Sequence, residues 1–171
     1  AGGVKPLNLR ISDYDRAAPV GTGHIKAGLN YAMSPYPIVE AHEQGYDENL
    51  YLDPLTRTYI EETGGANIIF ISKDGSLVTP RSNTILPSIT RRSIVEICRD
   101  RLGMNVEERK IALGELADMK ECALCGTAAV VSPVGTITAS DRTYTFNSVG
   151  EGSIISRISD VMSDIRSGKM D

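Results

Sequence analysis

Apolar and polar residues alternate along residues 4–11, where Leu7, Leu9 and Ile11 are separated by Asn8 and Arg10. A period of two predicts a half-buried strand. Pro6 pushes that strand toward a sheet edge, because proline has no N–H to give a neighbour. Residues 49–53 and 58–62 read as strands around a DPLTR turn. Residues 66–72 (ANIIFIS) and 76–79 read as strands around Lys73-Asp74-Gly75, so two hairpins are expected in succession. Strand content is expected to concentrate before residue 80.

Elsewhere the period lengthens to that of a helix. Pro35 opens and Gly45 closes a helical run holding Ile38, Val39, Ala41 and His42. Residues 90–102 set Ile94, Val95, Cys98 and Leu102 on one face, with Gly103 as terminator. Residues 153–166 set Ile154, Ile155, Ile158, Val161, Met162 and Ile165 on another. Between these helices, 106–112 reads as a strand and 113–119 as a short helix. Residues 122–138 read as two strands broken at Gly126-Thr127, and 143–146 as a further strand. No repeat, low-complexity segment or linker divides the chain, so one α/β domain with a mixed, strongly curved sheet is expected.

Composition narrows the partners. The 171 residues include 18 basic and 22 acidic side chains, a net charge of −4, with 41% apolar residues. No basic stripe suggests nucleic acid. No apolar run reaches eighteen residues, and AGGVKPLNLR has neither the apolar core nor the cationic lead of a signal peptide, so no membrane association and a cytoplasmic location are expected. Three cysteines, an odd number, fit a reducing compartment.

The candidate chemistry centres on GTGHIKAGLNY, residues 21–31. It places Lys26 in a Gly-rich, nearly uncharged run, where burial would ease loss of the ammonium charge and favour a nucleophilic amine. An ordinary exposed loop lysine is the alternative on this stretch alone. Its company is more specific: GTGHIKAGLNYA, YIEETGGANIIF from Tyr59, ILPSITR from Ile85 and CGTAAVVSPV from Cys125 occur in the order and at the spacing of the branched-chain aminotransferases, pyridoxal-phosphate enzymes of fold type IV. The resemblance runs from about Val4 to the last helix.

The resemblance implies a pseudo-barrel sheet with flanking helices and transamination of leucine, isoleucine or valine with 2-oxoglutarate, in a homodimer. It casts Lys26 as the covalent anchor of pyridoxal 5′-phosphate and the proton carrier at the substrate. Glu62, five residues before Asn67, becomes the acid beside the pyridine nitrogen; neighbouring Glu61 points to the other side of the strand. By the same resemblance Tyr31 bonds the phenolic oxygen of the cofactor and Leu86 packs on its ring. Ile89 and Thr90, at a helix start, bind its phosphate, and Thr127 adds a second contact there. Asn67 belongs to the cofactor set, while Gly65, Thr127 and Ala128 meet the substrate carboxylate. The chain corresponds to the larger, cofactor-bearing domain of such enzymes. Their smaller N-terminal domain, which supplies an arginine to the phosphate and much of the side-chain pocket, is expected to lie outside these 171 residues. D-amino-acid aminotransferases and aminodeoxychorismate lyases share the fold, and a non-catalytic domain is the reading from another class.

Cys122 and Cys125 form a C-x-x-C that needs a separate account. His24 and His42 are not spaced as two further zinc ligands, and cysteines three apart on a strand face opposite sides. Mammalian members of the resembled family carry a redox pair where this chain has Ala129 and Ser132. Buried, unreactive thiols with no metal are therefore expected.

Overall fold

The first strand, β1 (Leu7–Ile11), lies inside the sheet and runs parallel to both neighbours, β2 (Glu48–Leu52) and β8 (Val130–Ala139). The edge position expected from Pro6 is therefore corrected. The ladder begins at Leu7, so the missing N–H of Pro6 falls outside it, and Pro6 packs against Gly135 instead. A parallel neighbour cannot be reached by a tight turn. Residues 12–47 make the crossover, with the loop carrying Lys26, a single turn α1 (Gly28–Tyr31) and helix α2 (Pro35–Glu43). This computed structural model describes residues 4–140 and 142–170.

The remaining strands are β3 (Ile60–Thr63), β4 (Asn67–Ser72), β5 (Leu77–Pro80), β6 (Val106–Arg109), β7 (Met119–Gly126) and β9 (Arg142–Thr145). Their order is β3-β2-β1-β8-β7-β4-β5-β6, with β9 paired to β8 off this path. Both hairpins expected from the sequence form, as β2–β3 and β4–β5. Beyond β6 the chain returns to the opposite edge. Ile60 N donates to Ile111 O at 2.8 Å, Leu113 N donates to Thr58 O at 3.0 Å, and Tyr59 bridges Ala112. This short seam joins the two edges, so the mixed sheet curls into the expected pseudo-barrel.

Two cores follow from the closure. Leu9, Leu50, Ile60, Phe70, Leu124 and Val134 fill the interior with Ile111 and Leu116. On the outer face Ile69, Ile71, Leu77, Ala123 and Cys125 pack against helix α3 (Ile89–Glu96) and helix α4 (Ile154–Arg166) through Ile94, Val95, Ile155 and Ile158. Strands covered on both faces lose the period-two signal. A second correction concerns where the strands concentrate: β7 and β8, the longest strands, lie after residue 80, at the two strands expected around Gly126-Thr127 but reaching back to Met119 and on to Ala139.

The expected helix over 90–102 is α3 followed by a π-helical turn, Ile97–Arg101, in which Leu102 N reaches Ile97 O at 3.0 Å. The wide turn leaves Ile97 and Cys98 buried in the outer core, and Gly103, at φ +62°, ends it. Residues 113–118 form a 3₁₀ helix. Glu121, fully buried on β7, accepts from Ile154 N at 3.1 Å, Ile155 N at 2.8 Å and Ser153 Oγ at 2.8 Å. Its carboxylate thus supplements the Ser153 cap of α4, where the helix dipole favours negative charge. Among the described residues no helix is long and apolar enough to cross a membrane.

Candidate functional site

Two turns meet at one end of the barrel: residues 64–66 between β3 and β4, and residues 127–129 between β7 and β8. They touch where Gly126 lies against Ala66 and the carbonyl of Gly65. Beside them the crossover loop completes a cleft of about 190 Å³. Lys26, Tyr31, Glu62, Gly65, Asn67, Leu86, Thr127 and Ala128 line it, so eight of the sequence-derived residues come together. Ile89 and Thr90 are not among its lining residues. Ile89 is 79% exposed, and the cleft takes Ser88, the residue before the helix, instead.

Glu62 anchors the site electrostatically. It and Glu61 are each 3% exposed, which removes the picture of two solvated strand-end glutamates. Period two sends them to opposite sides. Glu62 Oε1 faces Arg16 Nη2 at 3.0 Å and accepts from Leu86 N at 2.9 Å, while Oε2 accepts from Asn67 Nδ2. Glu61 instead accepts from Ser82 Oγ at 2.8 Å and from Thr84 Oγ1. With Tyr59 and Arg81 it lines a second, larger cavity of about 450 Å³, which holds none of the ten singled-out residues. Burial pushes the Glu62 carboxyl up to about 7, against the pull of Arg16 and the Leu86 amide. Burial, and next the charge of Glu62, raise the Tyr31 phenol.

Lys26 departs from its expectation. Its side chain is exposed rather than buried, and the loop is held by other residues. Gly23 is one such anchor: a Cβ there would overlap Ala18 O and stand 3.1 Å from Thr84 Cγ2. Arg16 is another, giving Nη2 to Gly23 O at 2.9 Å and also to Thr84 O. One buried guanidinium thus joins the lysine loop to the acid.

At α3 the Ser88 hydroxyl accepts from Arg91 N at 3.3 Å, and the first intrahelical bond runs from Arg92 N to Ser88 O. The amides of Ile89 and Thr90 precede that bond and form the open end of the helix. Sequence reasoning missed Arg16 and Ser88. Arg16 sits in a stretch read only as a loop, and nothing in SDYDRAAPV distinguishes a buried arginine from a solvated one. Ser88 carried a signal, the ordinary N-cap preference for serine.

The cysteines lie as expected. Cys122 belongs to the barrel interior and Cys125, like Cys98, to the outer core, and all three are free and buried. Burial pushes Cys98 and Cys125 up to about 12 and raises Cys122 well above its ordinary value. No group of three or more His, Cys, Asp or Glu placed to hold a metal occurs among the described residues.

Comparison with known proteins identifies the family. The amino-transferase class IV family model matches residues 4–137. A branched-chain-amino-acid aminotransferase of Haemophilus influenzae is 44% identical over 99% of the chain and 51% of its own length. The Helicobacter pylori protein of the same name is 41% identical over 99% and 50%. The crystal structure of branched-chain amino acid aminotransferase from Thermobaculum terrenum in its PLP-form superposes with a TM-score of 0.85 at 32% identity, covering 97% of this chain and 52% of that one. The chain spans about half the length of the relatives it matches. With the curled mixed sheet, the match over 134 consecutive positions places this chain in the class IV aminotransferase family.

Proposed function

We propose that this chain is the cofactor-bearing domain of a branched-chain aminotransferase, which exchanges the amino group of leucine, isoleucine or valine with 2-oxoglutarate. The observation that carries the reading is the cleft itself, where Lys26, Tyr31 and the buried Glu62 meet two turns rich in backbone amides. The cleft fits pyridoxal 5′-phosphate. Asn67 Oδ1 and Arg16 Nε are buried without a hydrogen-bond partner on residues lining it, and Lys26 is an accessible amine. The similar protein of Thermobaculum terrenum was crystallised in a PLP-form.

When bound, pyridoxal phosphate supplies the electron sink that acidifies the α-proton of an amino acid. The chain does the rest. Lys26 Nζ holds the cofactor and, once released, moves the proton from substrate Cα. Glu62, poised near neutrality, presents a carboxylate to the pyridine nitrogen, and Arg16 and Asn67 hold it there. Tyr31 orients the ring through its hydroxyl, and Leu86 packs on its face. Thr127 would receive the phosphate together with the open end of α3, where Ser88 lines the cleft and the free amides of Ile89 and Thr90 follow it. Gly65, Thr127 and Ala128 receive the substrate carboxylate.

The same reading makes the protein a cytoplasmic homodimer. Val20, Ile25, Leu29, Met33, Tyr36 and Val39 all stand exposed on the crossover, a concentration of apolar surface that favours a protein partner there. The decisive experiment is a panel of L- and D-amino acids with 2-oxoglutarate, run on the natural full-length polypeptide. Activity with L-leucine, L-isoleucine and L-valine, lost in Lys26→Ala, is expected. Activity confined to D-amino acids would move the protein to another branch of the family.

A further inference from the structure

Of the four bonds that shape the lysine loop from inside, three belong to one side chain. Asn30 is 1% exposed. Its Nδ2 donates both hydrogens, to Thr22 O at 2.7 Å and Ile25 O at 2.9 Å, and its Oδ1 accepts from Ala18 N at 3.4 Å. The fourth is the Arg16 bond to Gly23 O. Lys26 lies between the two carbonyls that Asn30 ties down and α1, and belongs to no regular element itself. The backbone adds only short turns, Ile25 N to Thr22 O at 3.0 Å and Ala27 N to Ile25 O at 2.8 Å.

We infer that Asn30 is the positioning residue that aims Lys26 at the cleft. The inference rests on the proposed cofactor role of Lys26. The Asn30 amide fixes Thr22 and Ile25 at a set separation, which constrains the course of the chain into Lys26, and Lys26 lines the cleft with Glu62 and Tyr31. A side chain acting in this way touches neither cofactor nor substrate. No other residue type reproduces the contacts: two donors and one acceptor on a short planar group are what asparagine offers. Aspartate, of the same shape, would set oxygen against two carbonyl oxygens.

A pair of ligands separates aim from binding. Pyridoxal phosphate is held by the ring and phosphate contacts and also by condensation of its aldehyde with the Lys26 amine, which releases one water. 4′-Deoxypyridoxine 5′-phosphate has the same ring and phosphate but no aldehyde, so it reports the noncovalent contacts alone. In the natural full-length polypeptide, Asn30→Asp is expected to weaken pyridoxal phosphate affinity about tenfold or more, as loss of two hydrogen bonds implies. Affinity for the deoxy ligand should stay within about twofold of wild type. Asn30→Ser, which keeps a small polar group, provides the same reading if the aspartate variant does not fold. Equal weakening of both ligands in a folded variant, or no weakening of either, overturns the positioning role. A wild-type protein that binds the deoxy ligand but never condenses with the aldehyde overturns the role of Lys26. One that binds neither overturns the cofactor reading beneath both.

Discussion

Arg16 Nη2 stands 3.0 Å from Glu62 Oε1 with both side chains nearly fully buried, yet burial still outweighs the ion pair and leaves the carboxyl titrating at about 7. Taking an acid out of water costs more than one partner cation returns. Glu62 is therefore close to half protonated at neutral pH before any ligand arrives, and a cationic pyridinium would complete its ionisation.

The sign of the resulting pH dependence follows. The folded pKa is raised from the ordinary 4.5, so the stability Glu62 contributes is fully present below about pH 4.5 and is lost as pH rises through about 7. Urea unfolding at about pH 5 and about pH 8 should show wild type losing about 3 kcal/mol more than Glu62→Gln over that interval. Replacing Arg16 by Met should raise the Glu62 pKa further, so that the carboxyl is protonated at neutral pH and stability falls only as pH rises through the new, higher pKa. A carbon-13 titration of the Glu62 carboxyl checks the shift directly.

Gly23 and Gly28 flank Lys26 and form a matched pair. A methyl at Gly23 meets Ala18 O and Thr84, whereas at Gly28 nothing lies within 4 Å. Gly28→Ala should be neutral or stabilising by up to about 1 kcal/mol. Gly23→Ala should lower Tm by several degrees and weaken pyridoxal phosphate binding. Thermal melts and cofactor titrations of both variants make the test, and equal behaviour would contradict the account of the loop.

The capping of α4 is separable from the site. Glu121→Ala removes an acceptor for two backbone amides and a hydroxyl, and should cost about 2–3 kcal/mol, while Ser153→Ala should cost about 1 kcal/mol. Because the two side chains share a hydrogen bond, the double variant should lose less than the sum, as a double-mutant cycle in urea would reveal.

Thiol chemistry should be silent in the native state. With Cys98, Cys122 and Cys125 buried and their thiols shifted upward, Ellman's reagent at about pH 8 should label none rapidly until urea is added, when all three react. Activity that falls with mild oxidant, recovers with reductant, and loses this response in Cys122→Ser would show an accessible thiol instead.

The helices were readable because each shows water along one stripe, so polarity marks the period, whereas the hairpins, whose strands are almost wholly buried, were marked by the turn residues between them. β7 was placed only from Cys122 onward: six of its eight residues are buried between the interior core and the two helices, and the alternation disappears. Pro6 misled because a proline just before a strand and one inside it look alike in sequence. At the site, motif spacing selected Glu62 over Glu61, and the faces they take agree with strand alternation. Spacing said nothing of Arg16, whose partners lie 7, 46 and 68 residues away in the chain, at Gly23, Glu62 and Thr84. The exposure of Lys26 is what the Gly-rich stretch taken alone suggested, and it is compatible with the role that the motifs together imply.

Because Glu61 and Glu62 are adjacent on β3, the strand tolerates length change poorly at one point and well at another. A single residue inserted in β3 just after Ile60, which pairs with Leu52 of β2, would rotate the glutamate pair by one position. Glu61 would then be offered to Arg16 and Leu86, and Glu62 to Ser82 and Thr84, with every apolar neighbour on that strand turned the wrong way as well. The turn at residues 53–57 carries no such constraint, since Asp53 closes it locally through the amides of Thr56, Thr58 and Tyr59. Length variation among homologues should therefore collect in that turn and stop short of Ile60.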